Sequence, residues 1–352
     1  MEIVLIGILF HFIGGFASGS FYIPYKKVRG WAWESYWIIG GLFSWLIVPF
    51  IAAWLTVPHF LDIITASDIS TLFWTYFFGV LWGIGGLTFG LTMRYLGLSL
   101  GMSVVMGLTS AFGALVPPLY RDLFASDSDG TLSAMFSSGG GQLVLLGVLV
   151  SLIGISIAGR AGMMKEREVP AETKYKSVAE FSLGKGITVA LISGVLSACF
   201  NYGITAGKPM AQMAVEMGAN SLFQNNVTFV VILWGGLTTN AIWCLLLNAK
   251  NRSFANYTDR ATPLKINYLL SAAAGTIWFL QFFFYGMGES RLGNDASSWV
   301  LHMSFIIIVS NLWGLFFREW QGTSNKNRQV LITGIVVILL SICMVGYGNY
   351  LR

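Results

Sequence analysis

Long apolar runs separated by short polar connectors dominate the chain. A membrane-spanning helix needs about 20 such residues to cross a hydrocarbon core of about 30 Å. On that rule the pattern predicts helices near 3–23, 35–56, 72–92, 97–119, 140–159, 186–207, 222–247, 266–288, 297–317 and 329–350. The expected fold is an all-α membrane protein of ten transmembrane helices. The third and fourth helices are separated only by residues 94–97, so a tight turn is required there. Residues 120–139 carry Asp122, Asp127 and Asp129 among Ser and Gly and read as an external loop. Residues 160–185 form the longest charged connector, joining a first unit, 1–159, to a second, 186–352.

Composition agrees with the pattern. The chain is 55% hydrophobic and 11% charged, where a soluble domain carries about 25% charged residues. Its net charge of +5 does not read as a nucleic-acid surface, because the basic residues sit in short connectors between apolar spans. Of the 21 Lys and Arg residues, only Arg121, Lys208, Arg291 and Arg352 fall on one side of the predicted spans. The other side, with the remaining 17, is cytoplasmic by the positive-inside rule, which places both termini outside. The first polar residue is Glu2, so the N-terminus lacks the basic region of a cleaved signal. The first span instead runs into Lys26, Lys27 and Arg29, as a signal-anchor helix does. Cys199, Cys244 and Cys343 all lie in apolar spans and read as small buried hydrophobes.

The two units resemble each other. Gly7, Gly15, Ser18 and Phe21 match Gly186, Gly194, Ser197 and Phe200 at one constant offset. Trp82, Gly90, Leu96 and Gly97 match Trp278, Gly286, Leu292 and Gly293 at another, and Gln142, Gly147 and Gly159 match Gln329, Gly334 and Gly346. Five helices per unit make the second unit enter the membrane from the opposite side. The expected plan is two inverted five-helix repeats, as in many secondary transporters.

Ionisable groups deep in a membrane are costly and mark function. The acidic residues all fall in loops or near helix ends. His11 does not: it lies about eight residues into the first helix, roughly 12 Å down at 1.5 Å per residue. His302 lies in the ninth helix. Both are candidate proton carriers, since histidine titrates near physiological pH; a neutral imidazole bonded between helices is the competing reading. Glu34, Arg94 and Glu289 are helix-end groups suited to gating ion pairs or simply to solvated ends. Asn201, Asn225, Asn226, Asn240, Gln281 and Asn311 lie inside the spans and offer the donors and acceptors that a hydroxyl-rich ligand requires. Trp82 and Trp278 occupy equivalent places in the two repeats, where an indole face can stack on a sugar or pack the core. Gly14-Gly15 and Gly83-Ile84-Gly85-Gly86 allow close helix approach.

No HExxH, paired acidic motif, nucleophile elbow or Walker A sequence is present. Enzymatic chemistry, ATP hydrolysis, a cofactor and a metal site are therefore not expected. The expected role is movement of a small polar solute, driven by an ion gradient or by the solute's own gradient. A membrane-embedded enzyme and a non-transporting sensor are the rivals from other classes.

Several strings are more specific. They are Phe21-Tyr22-Ile23-Pro24-Tyr25-Lys26-Lys27-Val28, Trp82-Gly83-Ile84-Gly85, Gly90-Leu91-Thr92-Met93-Arg94-Tyr95-Leu96-Gly97, Arg160-Ala161-Gly162 and Ala206-Gly207-Lys208-Pro209-Met210. The sharpest are Trp278-Phe279-Leu280-Gln281-Phe282-Phe283-Phe284-Tyr285 and Ser298-Trp299-Val300-Leu301-His302-Met303-Ser304-Phe305. Through these the whole chain resembles the L-rhamnose–proton symporter family of the drug/metabolite transporter superfamily. It departs from the family pattern at Gly86, at Phe89 and beside Glu289. The resemblance implies ten helices in two inverted repeats, uptake of L-rhamnose or a related 6-deoxyhexose with a proton, and a bacterial inner membrane. On this reading Trp82, Trp278 and Tyr285 meet the sugar, Gln281 and Asn201 read its hydroxyls, and His11 or His302 carries the proton. A drug/metabolite exporter or a facilitator for another sugar is the nearest alternative.

Overall fold

The structure, a computed structural model, describes residues 1–96, 98–124, 130–168, 183–317 and 320–351. Long helices make up nearly all of it. They are α1 (Glu2–Ser20), α2 (Trp33–Thr56), α3 (Ile69–Leu96), α4 (Leu98–Phe124) and α5 (Gly139–Glu168), followed by α6 (Leu183–Ala206), α7 (Asn226–Asn251), α8 (Leu264–Leu292), α9 (Asp295–Phe316) and α10 (Asn325–Tyr350). Nine helical spans among the described residues are long and apolar enough to cross a membrane; α4 is not among the nine. Leu5, Leu9, Phe12 and Phe16 of α1 face outward, as do Ile242, Trp243, Leu245 and Leu246 of α7. Helices apolar on their outer faces too are membrane spans rather than surface helices of a soluble core.

The helix boundaries shift from the hydropathy reading mainly at the ends. The expected loop over 120–139 is partly helical, since α4 runs on to Phe124 and a short helix forms at Leu132–Ser137. Thr131 starts that short helix by accepting the Ala134 N–H at 3.1 Å. Helix α5 passes the expected boundary at 159 and ends at Glu168, whose carboxylate accepts from the Ser324 N–H and hydroxyl at the start of α10. Residues 169–182 of the connector, and residue 97 in the tight turn, lie outside the described residues.

Prolines shape two helices. Pro49 cannot donate to its own preceding turn, and the chain accommodates it with a π turn at Phe43–Ile47 just upstream. That extra residue per turn re-aims Trp45 into the bundle, where it is buried against Gly41. Pro117 and Pro118 sit inside α4. A missing N–H at Pro117 leaves the Gly113 carbonyl without its i+4 donor, so another element must satisfy it.

Close approaches run through glycine. Gly79 of α3 lies against the Ile232 carbonyl of α7, and Gly235 of α7 against the Tyr76 carbonyl of α3. Gly275 of α8 lies against Gly40 of α2. In the Gly83–Gly86 run, Gly83 meets Gly236 and Gly85 meets Ser197, but Gly86 faces open space. The pairing of helices is reciprocal. Helix α1 packs on α8 and α9, and α6 packs on α3 and α4; α2 packs on α8, and α7 packs on α3. Further main contacts join α5 to α10, α4 to α5, α4 to α9 and α2 to α7.

Candidate functional site

The middle of the bundle is an aromatic layer. Trp82 of α3 and Trp278 of α8 stack with ring centroids 5.4 Å apart and planes at 29°. Trp45, delivered by the π turn, meets Trp278 edge-on at 5.6 Å. Phe200 of α6 lies 5.1 Å from Trp82 and stacks on Phe282 at 4.2 Å. Phe282 in turn meets Trp278 edge-on at 5.0 Å. The two tryptophans expected in equivalent positions are thus one contact pair.

Beside it, toward the end of the bundle that carries Asp295, lies a polar layer. The Tyr285 ring sits 5.3 Å from His11 and 5.2 Å from His302, and the two imidazoles are 6.1 Å apart. Gly14 makes room for the His302 ring and Gly288 for the His11 ring. Both histidines are fully enclosed, and none of their four ring nitrogens has a hydrogen-bond partner among the described residues. The Gln281 Nε2 and the Ser110 and Ser298 hydroxyls are likewise buried and unpartnered. Gln281 lies one turn before Tyr285 on α8, and Ser298 one turn before His302 on α9.

Asn201 holds this layer in place. Its Nδ2 donates to the Gly113 carbonyl at 2.8 Å, the group that Pro117 left free, and its Oδ1 accepts from the Tyr285 hydroxyl at 3.2 Å. The Trp299 indole donates to the Thr109 carbonyl at 2.9 Å and packs over Gly113. Removing the Asn201 side chain strands a buried carbonyl and a buried hydroxyl, each worth about 1–3 kcal/mol when unsatisfied. Asn201→Ala is therefore expected to lower the thermal unfolding temperature of the purified protein. An unchanged transition would show that Tyr285 and Gly113 find other partners.

The helix-end acids are buried too. Glu34 accepts from the Asn251 Nδ2 at 3.0 Å and the Ser253 hydroxyl at 2.6 Å, fastening the start of α2 to the end of α7. At the other end of the same helix pair, Asn226 donates to Thr56 at 2.8 Å. Glu289 accepts from the Asn225 Nδ2 at 2.7 Å. Asp295 binds Arg121 at 2.8 Å and Lys208 at 3.0 Å. The Arg94 side chain lies outside the described residues. The structure therefore joins His11, His302, Asn201, Gln281 and Tyr285 in one layer with Trp82 and Trp278 beside it, and puts Glu34 and Glu289 at opposite ends.

Sequence reasoning missed Trp45, Phe282, Ser298 and Asp295. The Gly41–Trp45–Pro49 spacing was the available signal for Trp45. Asp295 follows Asn294, which accepts from the Ser297 N–H at 2.8 Å as the α9 N-cap; that cap was visible, but the burial of its neighbour was not. Among the described residues no group of three His, Cys, Asp or Glu is placed to hold a metal ion.

A bundle with nine spans long and apolar enough to cross a membrane among its described residues is a multi-pass membrane protein. The pattern that defines the L-rhamnose-proton symport protein matches residues 1–350. The chain belongs to this family, which is a family of transporters and not of enzymes. It is similar over 350 residues, 98% of both chains, to the L-rhamnose-proton symporters of Pectobacterium atrosepticum (39% identical), Pectobacterium carotovorum subsp. carotovorum (38%) and Yersinia pestis (38%).

Proposed function

We propose that the protein takes up L-rhamnose together with a proton across a bacterial inner membrane by alternating access. One observation carries the reading: two buried histidines with unpartnered ring nitrogens flank Tyr285 in an uncharged polar layer packed beside an aromatic one. Unpartnered buried nitrogens are costly unless the working cycle supplies a partner. A sugar hydroxyl and a proton are such partners. The Gln281 amide is free to donate to a hydroxyl, and Asn201 exchanges its bond to Tyr285 for one to the sugar. Trp82 and Trp278, stacked on each other in this structure, part in the cycle to take the C–H face and methyl group of a 6-deoxyhexose. His11 and His302 together hold the coupled proton. Glu34 and Glu289 serve the two gates, and the Arg94 position belongs with them.

In this reading α4 is the tenth span, and 1–159 and 186–352 are inverted repeats joined by 160–185. The reciprocal packing supports it. Exchanging each helix with the one five places on turns the α1–α8 contact into α6–α3, α1–α9 into α6–α4, and α2–α8 into α7–α3. Gly15 and Gly194, matched by sequence offset, seat α9 at Phe305 and α4 at Leu108 respectively. The Lys/Arg asymmetry puts the Glu34 end in the cytoplasm and the Asp295 end, with both termini, outside.

In membrane vesicles, rhamnose uptake should rise with an inward proton gradient and collapse on adding a protonophore. Uptake indifferent to both would remove the proton from the mechanism. Competition by a panel of deoxyhexoses identifies the preferred sugar.

A further inference from the structure

The Asp295 end of the bundle holds four charged groups that the polar layer does not use. Asp295 is the first residue of α9, where the helix N-terminus favours an anion. Its carboxylate takes Arg121 Nη2 at 2.8 Å and Lys208 Nζ at 3.0 Å on each oxygen. Arg121 comes from the last turns of α4, and Lys208 opens the short helix Lys208–Glu216 that follows α6. One carboxylate thus staples three elements. It is nearly enclosed, with a side-chain exposure of 5%, whereas Lys208 is 43% exposed and reaches it from the surface.

The staple lies directly over the polar layer of His302 and Tyr285. Trp299 is one turn below Asp295 on α9, and His302 is two turns below. Tyr285 is one turn below Glu289 on α8. The Glu289 carboxyl is also buried, and it faces Asp295 within hydrogen-bonding reach while Asn225 of α7 donates to its other side. Among the described residues, Asp122 next to Arg121 turns to Ser133, accepting from its N–H at 2.8 Å. Helix α10 presents the neutral Asn349 to Ser297, and α1 presents Gly7 to the stem of Arg291.

Two carboxylates and two cations make the closed mouth neutral. Opening it means parting α4 and the end of α6 from α9, which carries Arg121 and Lys208 away from Asp295. Two adjacent, buried carboxylates then remain. Like charges at that separation do not both stay ionised, and a buried charge stripped of its partner is strongly unfavourable. One proton from the facing water binds a carboxylate oxygen and removes the repulsion between the two groups, leaving a single negative charge at the α9 N-terminus, and no other bond changes. We propose that the Glu289–Asp295 pair is a proton-operated gate: proton uptake from outside releases Arg121 and Lys208 and opens the way to the polar layer. The assignment of this end to the outside rests on the function proposed above.

Thiol accessibility tests the gate without using sugar or transport. Ser298→Cys places a reporter one turn from His302, in a background where the three native cysteines are replaced by alanine. It is labelled in right-side-out vesicles with a membrane-impermeant methanethiosulfonate, and the rate is normalised to Ser137→Cys on the exposed short helix. The normalised rate should rise severalfold from pH 7.5 to 5.5. Asp295→Asn should raise it about tenfold or more at pH 7.5 and flatten the profile, and Arg121→Gln and Lys208→Gln should raise it independently should Asp295→Asn fail to fold. Glu289→Gln should flatten the profile as well. A flat profile in the unsubstituted gate, or no acceleration in any of the three staple variants, overturns the proposal. So does labelling that arrives only in inside-out vesicles. Gated labelling without rhamnose uptake would instead sink the transport reading and leave the gate standing.

Discussion

His302→Ala and His11→Ala will each lose proton-driven accumulation of rhamnose while keeping sugar exchange. The two imidazoles stand 6.1 Å apart in full enclosure. Two buried like charges at that distance are disfavoured, so on the proposed mechanism the pair takes up at most one proton at a time. Removing either ring therefore disrupts the same bound proton. The size of the effect follows from the driving force. Each unit of pH gradient is worth 1.36 kcal/mol, a factor of ten. An imposed gradient of about two units thus supports about 100-fold accumulation at one proton per sugar, and an uncoupled variant equilibrates at onefold. Counterflow, in which internal sugar exchanges for external label with no gradient, needs only binding and alternation and should persist. His302→Gln and His11→Gln fill the same space and control for collapse against Gly14 and Gly288. Full accumulation by one of the variants would remove that histidine from the coupling, and full accumulation by all would assign coupling elsewhere.

The sequence carried most of the architecture because the membrane imposes it. Every backbone polar group in hydrocarbon must be satisfied within its own segment, so apolar runs of the right length become helices with little ambiguity. Trp82 and Trp278 were legible as a pair because they stand at matching offsets in the two halves of the sequence, and their rings do meet in the structure. The ends were harder to read. Asp295 looks like any helix-start acid, and its burial comes from Arg121 and Lys208, which lie 174 and 87 residues away in the chain. Residues 120–124 read as loop because Asp122, Asp127 and Asp129 among Ser and Gly resemble a connector. The freed Gly113 carbonyl is instead satisfied by Asn201 from another helix, and α4 continues. Apolar periodicity contains none of these long-range partners.

Substituting the glycines at the α3–α7 and α2–α8 crossings is expected to cost more stability than any change at the surface, and to cost it twice over. A Cβ on Gly79 would overlap the Ile232 carbonyl, and one on Gly275 would overlap Gly40. Both obstacles are backbone, which cannot rotate aside as a side chain does. Overpacking of this kind costs about 1–3 kcal/mol per site. The sites lie on different helix pairs and share no neighbour, so their costs should add. Gly79→Ala with Gly275→Ala is then expected to lose about 2–6 kcal/mol, against a typical total of about 5–15 kcal/mol. Gly86→Ala is the control, since nothing lies within 4 Å of its added methyl and alanine favours the helix by about 1 kcal/mol over glycine. Thermal unfolding of the purified variants in detergent reads all three. Equal losses at Gly79 and Gly275 are what the proposed two-fold repeat requires, because it makes the two crossings equivalent. A large loss at one and none at the other would mean that the two crossings are packed independently, and the repeat would then describe the chain path without describing its energetics.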